Sequence, residues 1–152
     1  MMKYTTLALL IVMSLTLLSC NQGVDSPRGF SLPKGNAEQG KAVLLTYQCL
    51  ACHTLQGVED KNIEKHADIN ISLGGEKTQI VTYAELVTSI INPSHKFSSP
   101  YSAMAKTPDG KSKMNVFNDV MTVTELIDLV TFLQPKYTLL PFKPTVYQYY
   151  PR

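Results

Sequence analysis

The chain has 152 residues, 44% of them hydrophobic, with 14 Lys plus Arg against 12 Asp plus Glu for a formal net charge of +2. A balance so near neutrality gives no sign of a nucleic-acid partner. Once the two ends are set aside, the length allows one small domain and not two.

A single basic residue, Lys3, precedes an apolar run from Leu7 to Leu18 that Thr and Ser interrupt. The run is shorter than the roughly 20 residues of a membrane span and reads as a secretory signal peptide over residues 1–19. It ends in Leu17-Leu18-Ser19-Cys20, which resembles the lipobox of bacterial lipoproteins. That resemblance implies cleavage before Cys20, after its thiol has received a diacylglycerol. The plainer alternative is an ordinary cleavage site near Ser19 with an incidental cysteine. One acyl chain, at about 0.8 kcal/mol per buried methylene, anchors only marginally, whereas a lipoprotein carries two or three and stays on the membrane. Asn21 in place of Asp leans, by resemblance to enteric bacteria, towards the outer membrane. Gly23, Pro27, Gly29, Pro33 and Gly35 make residues 20–35 a flexible tether.

Residues 36–136 are the expected domain. Three helices are expected, each opened by an N-cap with a partner three residues on: Asn36 and Gln39, Thr82 and Glu85, Thr122 and Glu125. The first spans Ala37 to Tyr47, with Val43, Leu44 and Tyr47 on an apolar face. Gly40 within it costs about 1 kcal/mol against Ala. Close approach of another backbone would offset that, and the third helix is the candidate.

The first helix leads into Cys49-Leu50-Ala51-Cys52-His53. A Cys-x-x-Cys-His run is the attachment signature of a c-type haem. Cysteines three apart reach the two vinyl groups of the porphyrin and form thioethers, which places His53 beneath the iron as the proximal ligand. Two other readings compete. A thioredoxin-like dithiol wants a preceding strand in a βαβ unit, and the preceding segment reads as helix. A zinc site completed by His53, His66 or His95 lacks a second Cys-x-x-Cys. All three cysteines are used if Cys20 carries lipid and Cys49 and Cys52 carry haem.

Residues 54–80 are the least legible. Ile69, Ile71 and Leu73 alternate and suggest a short extended segment along the haem, followed by a Gly74-Gly75 turn. His66, in a charged run, reads as solvated. The second helix, Tyr83 to Ile91, presents Tyr83, Val87 and Ile90 and stops at Asn92-Pro93. His95 beside Lys96 reads as surface. After a Pro, Gly, Ser and Lys-rich loop over residues 98–113, with Tyr101 and Met104 as anchors, comes Met114-Asn-Val-Phe117. The third helix runs from Val123 to Leu133, with Leu126, Leu129, Val130 and Leu133 as its stripe, Phe132 beside it and Pro135 beyond its end.

Gly40-Lys-Ala-Val-Leu44 before Cys49-x-x-Cys-His53, Ile91-Asn-Pro-Ser, Met114-x-x-Phe117 and Met121-Thr-Val-Thr-Glu-Leu-Ile-Asp-Leu-Val-Thr-Phe-Leu133 together resemble class I cytochromes c of bacteria. The resemblance covers residues 36–136. It implies an all-α fold of about three main helices around one covalently attached haem c, with first and last helices crossing at Gly40 and Phe132. It also implies His53 and Met114 as the two iron ligands. The chain departs from the family twice. Asn115 stands where a proline usually follows the methionine, so the ligand loop loses some rigidity. The Gly-Pro whose carbonyl orients the proximal imidazole is missing between Gly57 and Leu73, so another acceptor must hold the His53 Nδ1 proton.

His and Met ligands leave the iron no open position, and a neutral thioether raises its potential. The expectation is therefore a lipid-anchored electron carrier on the periplasmic side of a bacterial membrane, itself not an enzyme. Its partners would be periplasmic redox proteins or respiratory complexes. An alternative is a fixed haem subunit of a larger oxidoreductase. It is motivated by the tail, 137–152, where Tyr137, Tyr147, Tyr149 and Tyr150 stand among Pro141, Pro144 and Pro151 and suit docking in a groove or wrapping over the chain's own domain. A haem ligand sensor needs a labile sixth position, which Asn115 keeps open.

Overall fold

The computed structural model describes residues 31–98 and 101–141. The signal peptide, Cys20 and most of the tether lie outside them, as do residues 142–152. The chain from Pro33 onward makes one compact unit.

All three expected N-caps form. The Asn36 side chain accepts from the amides of Glu38 and Gln39 and starts helix α1 (Ala37–Thr46). Thr82 accepts from the Glu85 amide at the head of α2 (Tyr83–Ile91). Only Thr122, at the head of α3 (Val123–Leu133), has the reciprocal bond, with Glu125 reaching back to its amide. At α2 the glutamate turns instead to Lys96, at 2.9 Å.

Helices α1 and α3 share the most extensive contact of any two elements. A Cβ built on Gly40 would fall onto the backbone carbonyl of Asp128 and within 2.7 Å of Phe132 Cβ. Glycine is what lets the two backbones meet there, as its cost within a helix suggests. The neighbouring Asn36 amide donates to Asp128 Oδ1 at 2.7 Å, which gives that buried carboxylate a partner. Val43, Leu44, Leu129, Val130, Phe132 and Leu133 form the core between the helices. On α2 the buried residues are Leu86, Val87 and Ile90, and Tyr83 is exposed.

The expectation of an all-α fold is corrected. The unit is mixed α and β, with two small parallel sheets of two strands each. Strand β1 (His53–Leu55) pairs with β2 (Ile71–Leu73), His53 opposite Ile71. Strand β3 (Gly75–Lys77) pairs with β4 (Tyr137–Leu139), Gly75 opposite Tyr137. The physical reason is local. After His53 the chain loops out and returns in the same direction, and backbone groups beside the Cys-x-x-Cys-His segment need partners. The Ile71 amide donates to Cys52 O at 2.9 Å and the His66 amide to Ala51 O at 2.8 Å. Gly74 and Gly75, both at positive φ, then steer the chain from one ladder into the other.

Strand β4 also shows that the segment after Lys136 begins inside the domain. A short 3₁₀ turn, Gln134–Lys136, carries the chain from α3 into it. Among the described residues no helix is long and apolar enough to cross a membrane.

Candidate cofactor site

Helix α1 ends at Tyr47, and Gln48, at a φ of 52°, turns the chain into a single 3₁₀ turn, Cys49–Ala51. Leu50 is 1% exposed, so the motif is nailed to the core by its middle residue. From outside, Lys65 Nζ donates to Leu50 O at 2.6 Å. The two cysteines are half-buried on either side of this anchor and are not bonded to each other.

Both cysteines face a cavity of about 470 Å³ that His53 and Met114 also line. That volume lies in the range of small-molecule and cofactor pockets, roughly 300–1,000 Å³. The rest of the wall is mainly apolar. Leu44, Leu129 and Leu133 come from α1 and α3, Leu86 and Ile90 from α2, and Ile69, Ile71 and Leu73 from the returning strand. Lysines 77, 96 and 113 stand where the lining reaches solvent. Glu85, which also lines the cavity, pairs with Lys96 at 2.9 Å.

The orientation of His53, open in the sequence, has an answer here. Its Nδ1 lies 3.2 Å from Ile71 O. A carbonyl can only accept, so Nδ1 carries the proton and Nε2 keeps the lone pair that binds metal. Burial pushes the imidazole below its ordinary pKa, against the raising effect of the Ile71 bond. The ring is thus neutral and competent as a ligand at neutral pH. No side-chain pattern could have named this acceptor, because it is a backbone oxygen delivered by strand pairing.

Burial drives the Cys49 thiol up to about 11. A dithiol built for exchange has a depressed pKa on its attacking sulfur, and the segment before the motif is a helix rather than a strand. Both points oppose the thioredoxin-like reading. Among the described residues no three His, Cys, Asp or Glu side chains converge as a metal cluster. Two thiols, one imidazole and one thioether border the same mainly apolar cavity.

His66 is exposed, its Nδ1 3.3 Å from the Asp68 amide. Met104 is 36% exposed and does not border the cavity. His95 is exposed as expected, with Nδ1 2.8 Å from Asn92 O, yet it also borders the cavity. Met121, which directly precedes the N-cap of α3, is half-buried and borders it too. Tyr137, assigned from sequence to the tail, is part of the wall; burial raises its hydroxyl pKa, against the Gly74 backbone. The only signal for it was an aromatic residue soon after a helix-ending proline.

No protein-family model matches the chain, and no curated protein or solved structure matches it.

Proposed function

We propose that the chain is a membrane-tethered, monohaem c-type electron carrier. The observation that supports this most is convergence: Cys49, Cys52, His53 and Met114, the last far along the chain, all line one apolar cavity. Cys49 and Cys52 would hold the group through thioethers, and His53 and Met114 would ligate its iron. Held this way, haem supplies a one-electron couple whose potential a thioether ligand raises. The residues do the rest. Leu44, Leu86, Leu129 and Leu133 exclude water from the cavity, and Ile71 O keeps the His53 proton on Nδ1.

The test is direct. A denatured, reduced sample should still carry haem on the polypeptide, and Cys49→Ala with Cys52→Ala should abolish it. Haem that extracts freely into acidified organic solvent would sink the assignment. The tether is part of the proposal and rests on Cys20: Cys20→Ser should leave unprocessed precursor or a soluble form. Unchanged processing and membrane fractionation of that variant would count against lipidation. The partners would be periplasmic redox proteins or a respiratory complex.

A further inference from the structure

We propose that Tyr47 is a positioning residue for Met114: it clamps the strap Met114–Met121 to the end of α1 and so fixes where the thioether stands. What the thioether meets there is the haem of the preceding proposal, on which this inference rests.

The strap has a problem to solve. With Asn115 where a proline would stiffen it, and no helix or strand between Lys113 and Thr122, its order must come from outside. Tyr47 Oη lies 3.0 Å from Val120 O and 3.0 Å from Glu125 Oε2. Both are acceptors, and the hydroxyl has one proton to give. Glu125 Oε2 already accepts from the Thr122 amide at 2.7 Å and the Thr122 hydroxyl at 2.9 Å. That proton is shared between the carboxylate and the Val120 carbonyl, which is the acceptor on the strap.

The ring makes a second hold. Tyr47 meets Phe117 edge-on, centroids 5.4 Å apart, a favoured aromatic geometry. Phe117 O in turn accepts from the amides of Val120 and Met121 at 3.0 and 2.8 Å. One side chain thus grips both ends of a closed turn. Asn118 Nδ2 adds a tie to Ile91 O at 2.9 Å, and the Met114 amide donates to Ser112 Oγ at 3.1 Å.

Position gives the clamp its meaning. Tyr47 precedes Cys49 by two residues, so it joins the strap that would carry one ligand to the segment that would carry the other. The separation between His53 and Met114 is then set through a short path rather than through the whole domain.

The experiment compares the haem-loaded wild type with Tyr47→Phe, which keeps the ring and loses the hydroxyl, and Tyr47→Leu, which loses both holds. In Tyr47→Phe the hydrogen-bonded strap amides of Val120 and Met121 should exchange with solvent about fivefold faster, equivalent to about 1 kcal/mol for one lost hydrogen bond. Amides of Ile127 to Leu133 should be unaffected. The sulfur-to-iron charge-transfer band of the oxidised protein should weaken and carbon monoxide should bind the reduced protein, both more so in Tyr47→Leu. Wild-type strap exchange with a full band would overturn the clamp. So would a loss of global stability alone, which is what a merely structural tyrosine gives. A wild-type chain without covalent haem overturns the clamp together with the carrier reading, and is told apart by that absence.

Discussion

Met114 and Met121 both border the cavity, and their backbones differ in freedom. The Met121 amide is bonded to Phe117 O, and the next residue is the N-cap of α3. Met114 sits in the irregular stretch before that turn, and on the proposed reading it is the sulfur ligand. Replacing it with Ala should abolish the sulfur-to-iron charge-transfer band, lower the potential and let carbon monoxide bind reduced haem. Met121→Ala and His95→Ala should keep the band; the reverse pattern would move the role to one of them. A second residue-scale effect lies at Glu125. The Thr122 amide, then the Thr122 hydroxyl, hold its carboxyl below the ordinary 4.5, with burial opposing and the Tyr47 hydroxyl adding to the lowering. A carboxyl whose folded pKa is depressed adds stability that is present above its unfolded pKa and lost as pH falls through the folded one. The difference in melting temperature between wild type and Glu125→Gln should therefore narrow from about pH 6 to about pH 3. A difference that is constant across that range would mean the carboxylate's charge does nothing for the cap.

At the scale of elements, the helices were legible because their signals are chemical and local. Asn36, Thr82 and Thr122 each cap where their hydroxyl or amide can reach an unbonded amide. Of the strands, only β2 was foreshadowed, by the alternation of Ile69, Ile71 and Leu73. The others were not legible: each has three residues, too few for a pattern to stand out, and Gly75-Glu76-Lys77 has no strand preference. The partner of β2 is the end of the Cys-x-x-Cys-His segment, which sequence reads for its chemistry instead. Gly40 tests the helix crossing. Alanine there would gain about 1 kcal/mol of helix propensity and lose about 1–3 kcal/mol or more by overpacking. Its neighbour is backbone rather than a side chain that can swing away, so the loss should dominate. Urea unfolding of Gly40→Ala should show a clearly lower midpoint, and an unchanged or higher one would refute the close crossing.

For the whole molecule, the spacing of Cys49, Cys52 and His53 made them candidates from sequence alone, and Met114 was reached only through the family resemblance. The wall around them could not be read, since it comes from many separate segments. Tyr137 is the instructive case, reached only because β4 lies beside β3. A chain ending after Pro141 should keep the site and its spectrum. One ending after Lys136 loses the strand and Tyr137, and should lose about 1–2 kcal/mol of stability from the exposed apolar surface. Equal unfolding midpoints for the two truncations would show that the strand contributes nothing.

The crossing of α1 with α3 joins the two ends of the domain: the Asn36 amide and Asp128 are 92 residues apart in the chain. Contacts so distant form late, because a long loop must close before they do. In a chain emerging from its N-terminus, Cys49 and Cys52 appear long before Leu129 and Leu133 can seal the cavity behind them. Until then the Cys49 thiol lacks the burial that drives it up to about 11 in the closed domain. On the proposed reading, thioether formation and domain closure would therefore be in kinetic competition. A variant that hastened the pairing of α1 with α3 would shorten the interval in which the sulfurs react, and would leave more chains closed over bare thiols.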